Sequence, residues 1–168
     1  MVADRLGAGG IVIADTNDDR LRMAGTLGAF HTVNPRSEPL GEKIGGAFGG
    51  GGIDVVIDAA GFQPTREAAM RLLNPGGTFM NIGLGVDDTV LPINHLIRSE
   101  IQVLGSFCYT REDFRHAVGL LASGAITEQG WTETRPLREG GQAFADLVAG
   151  SVHYGKILLQ PDGGDVHA

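Results

Sequence analysis

A chain of 168 residues is long enough for one domain with a sizeable core and too short for two ordinary ones. With 42% hydrophobic and 20% charged residues it reads as globular, and its 27 glycines, which follow no G-X-Y period, read as tight turns rather than collagen. A net charge of −7 argues against the basic surface that nucleic acid or an anionic membrane requires. No apolar stretch runs beyond about six residues, far short of a spanning helix. The opening MVADRLGAGG lacks signal-peptide architecture. The single cysteine, Cys108, cannot close an internal disulfide, so a reducing cytoplasm is the expected setting.

Strand and helix patterns alternate along the chain. Gly10-Ile-Val-Ile-Ala-Asp15 is a short apolar run ending on an acid and predicts a buried strand. Asp18 to Leu27 places Leu21, Ala24 and Leu27 at helical spacing, with two aspartates in the first turn where the helix dipole favours them. Gly28 stands where a helix stop is expected. A short strand, Phe30 to Asn34, is stopped by Pro35, and Leu40 to Phe48 is a weak helix.

Ile53-Asp-Val-Val-Ile-Asp58 is the best strand of the chain. A helix from Thr65 to Leu73 should end at the turn Asn74-Pro75-Gly76-Gly77, and Thr78 to Ile82 should form the next strand. After Gly83 a short helix precedes a strand at Ile101 to Leu104. Thr110-Arg-Glu-Asp113 is a variant capping box that opens a helix with Phe114, Ala117, Val118 and Leu121 on one face. A strand near Trp131 to Arg135, a helix from Gln142 to Ala149 and a strand Lys156 to Leu159 follow, and residues 161–168 read as a tail. Apolar strands between amphipathic helices predict a doubly wound, mostly parallel α/β sheet covered on both faces.

Asp15 stands out, because ligands of this fold class bind beyond the carboxyl ends of strands. An acid there can accept hydrogen bonds from both hydroxyls of an adenosine ribose, and equally can be a solubilising or capping residue. Arg20, at the start of the next helix, can reach back over such a ribose or remain solvated. Asp58-Ala-Ala-Gly61 repeats the theme, with small side chains that either admit a flat ligand or serve helix–sheet packing. Ile82-Gly83-Leu84 ends a further strand in the same way.

Other signals fail. Gly49 to Gly52 and Gly7 to Gly10 precede strands, whereas a phosphate cradle follows one and opens a helix. The five histidines are scattered and Cys108 stands alone, so no zinc-ligand spacing exists. Ser106, Ser123 and Ser151 lack a nucleophile-elbow context, so no catalytic group is assigned.

The order of motifs resembles the medium-chain, zinc-type alcohol dehydrogenase family. It runs through Gly10 to Asp15, Asp19-Arg20-Leu21, Leu27-Gly28-Ala29 and Val33-Asn34-Pro35. Gly52 to Gly61, Leu73-Asn-Pro-Gly-Gly77, Asn81-Ile-Gly-Leu84, Ile101 to Ser106, Leu121 to Gly124 and Gly155 to Leu159 continue it. The resemblance implies a C-terminal, NAD-binding portion of an alcohol or polyol dehydrogenase. Asp15 and Arg20 would take the adenosine ribose, Ala59 and Ala60 the middle of the cofactor, and Ile82, Leu84 and Leu104 the nicotinamide.

Against the family's pattern, the first strand and glycine-rich turn should precede Met1. The zinc ligands belong to a catalytic domain that this sequence does not contain. Residues 1–160 are therefore expected to form an incomplete Rossmann-like domain, inactive alone, with weak or absent NAD binding. The intact enzyme would act on a small-molecule alcohol, with no nucleic-acid or membrane partner. A missing central strand leaves two open edges, so a homo-oligomer, a dimer, is expected unless the strands near Ile11 and Ile53 pair directly. The alternatives are a class I methyltransferase-like domain, or a non-catalytic remnant that oligomerises through Trp131 to Leu137.

Overall fold

The computed structural model describes residues 1–28 and 30–161. The expected tail from Asp162 onward, and Ala29 of the third motif, lie outside the described residues. The elements in chain order are α1 (Val2–Arg5), β1 (Val12–Ala14), α2 (Asp18–Thr26), β2 (His31–Val33), α3 (Leu40–Ala47), β3 (Ile53–Asp58), α4 (Gln63–Leu72) and β4 (Leu73–Asn81). They continue with α5 (Ile93–Arg98), β5 (Gln102–Gly105), α6 (Arg111–Ala122), β6 (Thr132–Pro136), α7 (Gly140–Ala149) and β7 (Lys156–Gln160). Two compact units result: Met1–Glu38 together with the chain from His116, and Pro39–Arg115. No helix of the described residues is long and apolar enough to cross a membrane.

All pairings are parallel, as the alternating pattern requires: β1 with β2, β3 with β4, β4 with β5, and β6 with β7. In the first unit β1 ends one residue before Asp15, and Asn17 caps α2. Its side chain accepts from the N–H groups of Asp19 (2.9 Å) and Arg20 (3.1 Å). Leu21 and Val33 are buried between α2 and β2. In the same unit Arg135 of β6 donates to Glu133 (2.8 Å) and to Asp146 of α7 (2.6 Å). The Arg135 hydrogen bond, then that from Gln142, holds the Asp146 carboxyl below its ordinary range. The segment suggested for edge-to-edge pairing with a second copy thus has a ladder partner in its own chain, β7.

The second unit is organised on Phe79, fully buried at the centre of β4 between Val56 and Val103. Ala69 and Met70 of α4, Leu73 at the start of β4 and Leu96 of α5 close over it. The opposite face is open: Val55 and Ile57 of β3 remain more than half exposed. Among the described residues, the coverage of the second face expected from the apolar runs is incomplete over β3. The helices α4 and α5 both supply side chains to the Phe79 core, whereas α6 buries none of its residues, the Phe114, Val118 and Leu121 stripe included.

Two further boundaries differ. The helix expected to reach Leu73 stops at Leu72, and the Asn-Pro-Gly-Gly turn is absorbed into the start of β4. An irregularity in register takes up the extra residues: Ile53 lies opposite Leu73, but Val55 opposite Thr78. The capping box at Thr110 forms as read, with Thr110 N–H donating to Asp113 (2.8 Å) and Asp113 N–H to Thr110 Oγ1 (3.1 Å).

Candidate functional site

Each unit gathers candidate residues at the carboxyl ends of its own strands. In the first, Asp15 follows β1 and its N–H donates to the Val33 carbonyl at 3.2 Å. One carboxylate oxygen accepts from Asn17 N–H (2.9 Å), and the other lies 3.9 Å from Arg20 Nη1. The Asp15 side chain stays about one-third exposed, so a ligand can reach it. The turn beneath it is fastened by Asn34, which is buried. Asn34 Nδ2 donates to Asp18 (2.7 Å) and to the Thr16 carbonyl (3.4 Å), while its Oδ1 accepts from Arg36 N–H (3.0 Å).

In the second unit Ala59 and Ala60 form an exposed bend after β3. Asp58, buried, accepts from the N–H groups of Ala60 (3.1 Å) and Gly61 (3.1 Å). The turn after β4 lies against this bend through glycine backbone. Ile82 and Gly83 N–H donate to the Asp58 carbonyl at 3.0 and 2.9 Å, and Val86 N–H donates to the Gly61 carbonyl at 2.9 Å. A Cβ at Gly61, whose φ is +76°, would sit 2.5 Å from the Gly83 carbonyl. Ile82 and Leu84 stand exposed beside it and line a cavity of about 620 Å³ with Arg66, Asn81, Ser106 and Phe107. Leu104 sits within β5 opposite Met80 and is not among the lining residues; its carbonyl accepts from Asn81 Nδ2 (3.2 Å).

The structure thus joins Asp15 with Arg20, and the Ala59–Ala60 bend with the Ile82–Leu84 turn. Three polar residues that support these groupings carried no assigned role: Asn17, Asn34 and Arg66. Asn17 was readable, since Asn followed by two aspartates before an apolar repeat is a helix-start signal. Asn34 Nδ2 and the Arg66 guanidinium donate to groups 16 to 23 residues away, and no local pattern announces them. Among the described residues no three His, Cys, Asp or Glu side chains come together as a metal site. The donors among the described residues therefore do not fit a catalytic zinc ion, which takes three protein ligands.

Comparison with known proteins identifies relatives of this chain. A family model described as zinc-binding dehydrogenase matches residues 1–123. The D-xylulose reductase of Scheffersomyces stipitis is 34% identical over 120 residues, which cover 71% of this chain and 33% of that protein. Sorbitol dehydrogenase 1 of Saccharomyces cerevisiae is 30% identical over 131 residues, covering 74% and 37%. A zinc-binding dehydrogenase from Sinorhizobium meliloti, solved bound to NADP, superposes with a TM-score of 0.78 at 28% identity. That match covers 95% of this chain and 47% of the other. The chain spans less than half the length of each.

The methyltransferase-like alternative finds no support here, because the segment after Gly83 is a short helix leading to a parallel strand, not an antiparallel hairpin. Parallel βα architecture, strand-end acids in the expected order and a match over most of the sequence converge, and the chain belongs to the zinc-binding dehydrogenase family.

Proposed function

We propose that this chain is the C-terminal, NAD-binding portion of a zinc-type alcohol or polyol dehydrogenase. When bound, the cofactor supplies a nicotinamide ring that exchanges hydride with a secondary alcohol carbon. The chain's own contribution is to hold the cofactor. Asp15 accepts from the adenosine ribose hydroxyls with Arg20 beside it. Ala59 and Ala60 admit the middle portion, and Ile82, Leu84 and Leu104 take the nicotinamide side. Residues 1–160 are read as one incomplete dinucleotide-binding domain. The small-molecule alcohol belongs to the intact enzyme. The compartment proposed is the cytoplasm, in keeping with a single, exposed Cys108.

The observation that carries the reading is the Asp15 carboxylate, pre-oriented by Asn17 N–H and still accessible. A 2′-phosphate placed on the same ribose would meet this negative charge, so NAD is expected to bind more tightly than NADP. Titration of both cofactors into the protein, extended or complemented with the N-terminal region of a relative, tests this. Equal affinity, or tighter NADP, overturns it. Asp15→Ala is expected to weaken NAD by about 1.5–3 kcal/mol through lost charge-assisted hydrogen bonds.

The open strand edges support self-association. Among the described residues β1 pairs only with β2 and β3 only with β4, so each leaves one edge of N–H and C=O groups without a ladder partner there. Such edges recruit strands from other chains. Sedimentation of the 168-residue chain at low micromolar concentration is expected to show a dimer; a stable, cooperatively unfolding monomer overturns this.

A further inference from the structure

We propose that Arg66 is a positioning residue that sets the spacing between the Asp58–Gly61 bend and the Gly83–Thr89 turn, and so holds the nicotinamide side of the site in register. The inference rests on the cofactor reading above, and extends it to a residue that touches no cofactor atom in that reading.

Arg66 projects from the first half of α4 into the second unit, and its side chain is almost nine-tenths buried. Its three nitrogens serve two segments. Nε faces Asp58 Oδ2 at 3.6 Å, close enough for charge attraction and too long for a hydrogen bond. Nη1 donates to the Val86 carbonyl (3.1 Å) and to Thr89 Oγ1, and Nη2 donates to the Gly83 carbonyl (3.2 Å). Asp58 passes the restraint on, since its carboxylate holds the N–H groups of Ala60 and Gly61. One guanidinium therefore ties the bend carrying Ala59 and Ala60 to the turn carrying Ile82 and Leu84.

The chemistry selects arginine. Only a planar fork with five donors reaches three acceptors on one turn while its remaining nitrogen faces a carboxylate. Lysine brings the same charge on a single nitrogen and must abandon most of these partners. The glycine contacts leave no slack, because the two turns touch through backbone at Gly61, Gly83 and Gly85. Letting the turn relax carries Ile82 and Leu84 with it, and with them the wall of the cavity that Arg66 also lines.

The test compares wild type, Arg66→Lys and Arg66→Met in the protein extended with the N-terminal region of a relative, with two readouts. Hydrogen exchange is expected to rise in peptides covering 58–62 and 82–90 and to stay unchanged elsewhere. Saturation transfer from protein to NADH at millimolar concentration is expected to lose nicotinamide-proton signal about tenfold in both variants, the scale on which loss of a supporting residue acts. The adenine signals should persist.

Where Arg66→Met fails to fold, Asp58→Asn with Arg66→Met removes both charges and takes its place. Exchange that is unchanged in the two turns, or raised uniformly, overturns the clamp. Local exchange with nicotinamide and adenine signals falling together overturns the positioning role. No NADH signal in the extended wild-type protein overturns the cofactor reading, and the positioning role with it, whatever the exchange shows.

Discussion

Gly83→Ala is expected to destabilise the second unit by about 3 kcal/mol or more, the upper part of the range for overpacking a filled site. The added methyl would lie 2.7 Å from the carbonyl carbons of Ala59 and Ala60 and nearer still to Gly61 nitrogen. All three are main-chain atoms, so no side chain can swing aside. Relief requires parting the two turns, which breaks the bonds from Ile82 and Gly83 N–H to the Asp58 carbonyl. A domain holds only about 5–15 kcal/mol of net stability, so the loss is a large fraction of it. Urea unfolding followed by circular dichroism should show a lower midpoint. Gly45→Ala, at a glycine in α3 with open space around it, is the comparison and should not be lowered. An unchanged midpoint for Gly83→Ala would mean that the turns are not in contact.

The 168-residue chain is expected to form no NADH from any alcohol and to retain no stoichiometric zinc. The reason lies in its donors. His95 is engaged by the Met70 carbonyl (3.1 Å) and Ser99, His153 by Asp19 (2.6 Å), and Cys108 is exposed and free. Such residues cannot converge on one ion without remaking the fold, and a catalytic zinc needs three ligands and an open position. Metal analysis of the purified chain, with absorbance of reduced nicotinamide in the presence of xylitol or sorbitol, decides it. Stoichiometric zinc together with alcohol-dependent NADH formation overturns the expectation.

What could be read from the residues alone follows the range of the forces involved. β3 spans Ile53 to Asp58 as expected, because an apolar run between a glycine turn and an acid is a local signal. Thr110 caps α6 for the same reason, its partner being three residues away. Asp15 could be placed at a strand end, since strand and acid are adjacent. Arg66 could not be singled out, because the acceptors of its hydrogen bonds lie 17 to 23 residues further on and meet it only once β4 is in place. The open face of β3 was equally invisible. An apolar side chain reads the same whether or not a helix lies over it, and Val55 and Ile57 needed the structure to show that none does. The start of β4 escaped because Pro75 and Gly76 read as a stop, while a register irregularity lets the strand run through them.

The parallel pairing has a kinetic side. Val12 meets His31, Val55 meets Thr78, Thr78 meets Gln102 and Thr132 meets Lys156. Each ladder therefore closes a loop of about twenty residues, with a helix inside it, before its first hydrogen bond can form. No two-residue hairpin is available among these pairs to start a sheet quickly, so the search is governed by non-local encounters and refolding should be slow for a chain of this size. During synthesis each strand leaves the ribosome well before its mate. Through that interval its apolar edge is open to other nascent copies, which makes temperature and expression rate, more than final stability, the controls on how much of this protein is recovered folded.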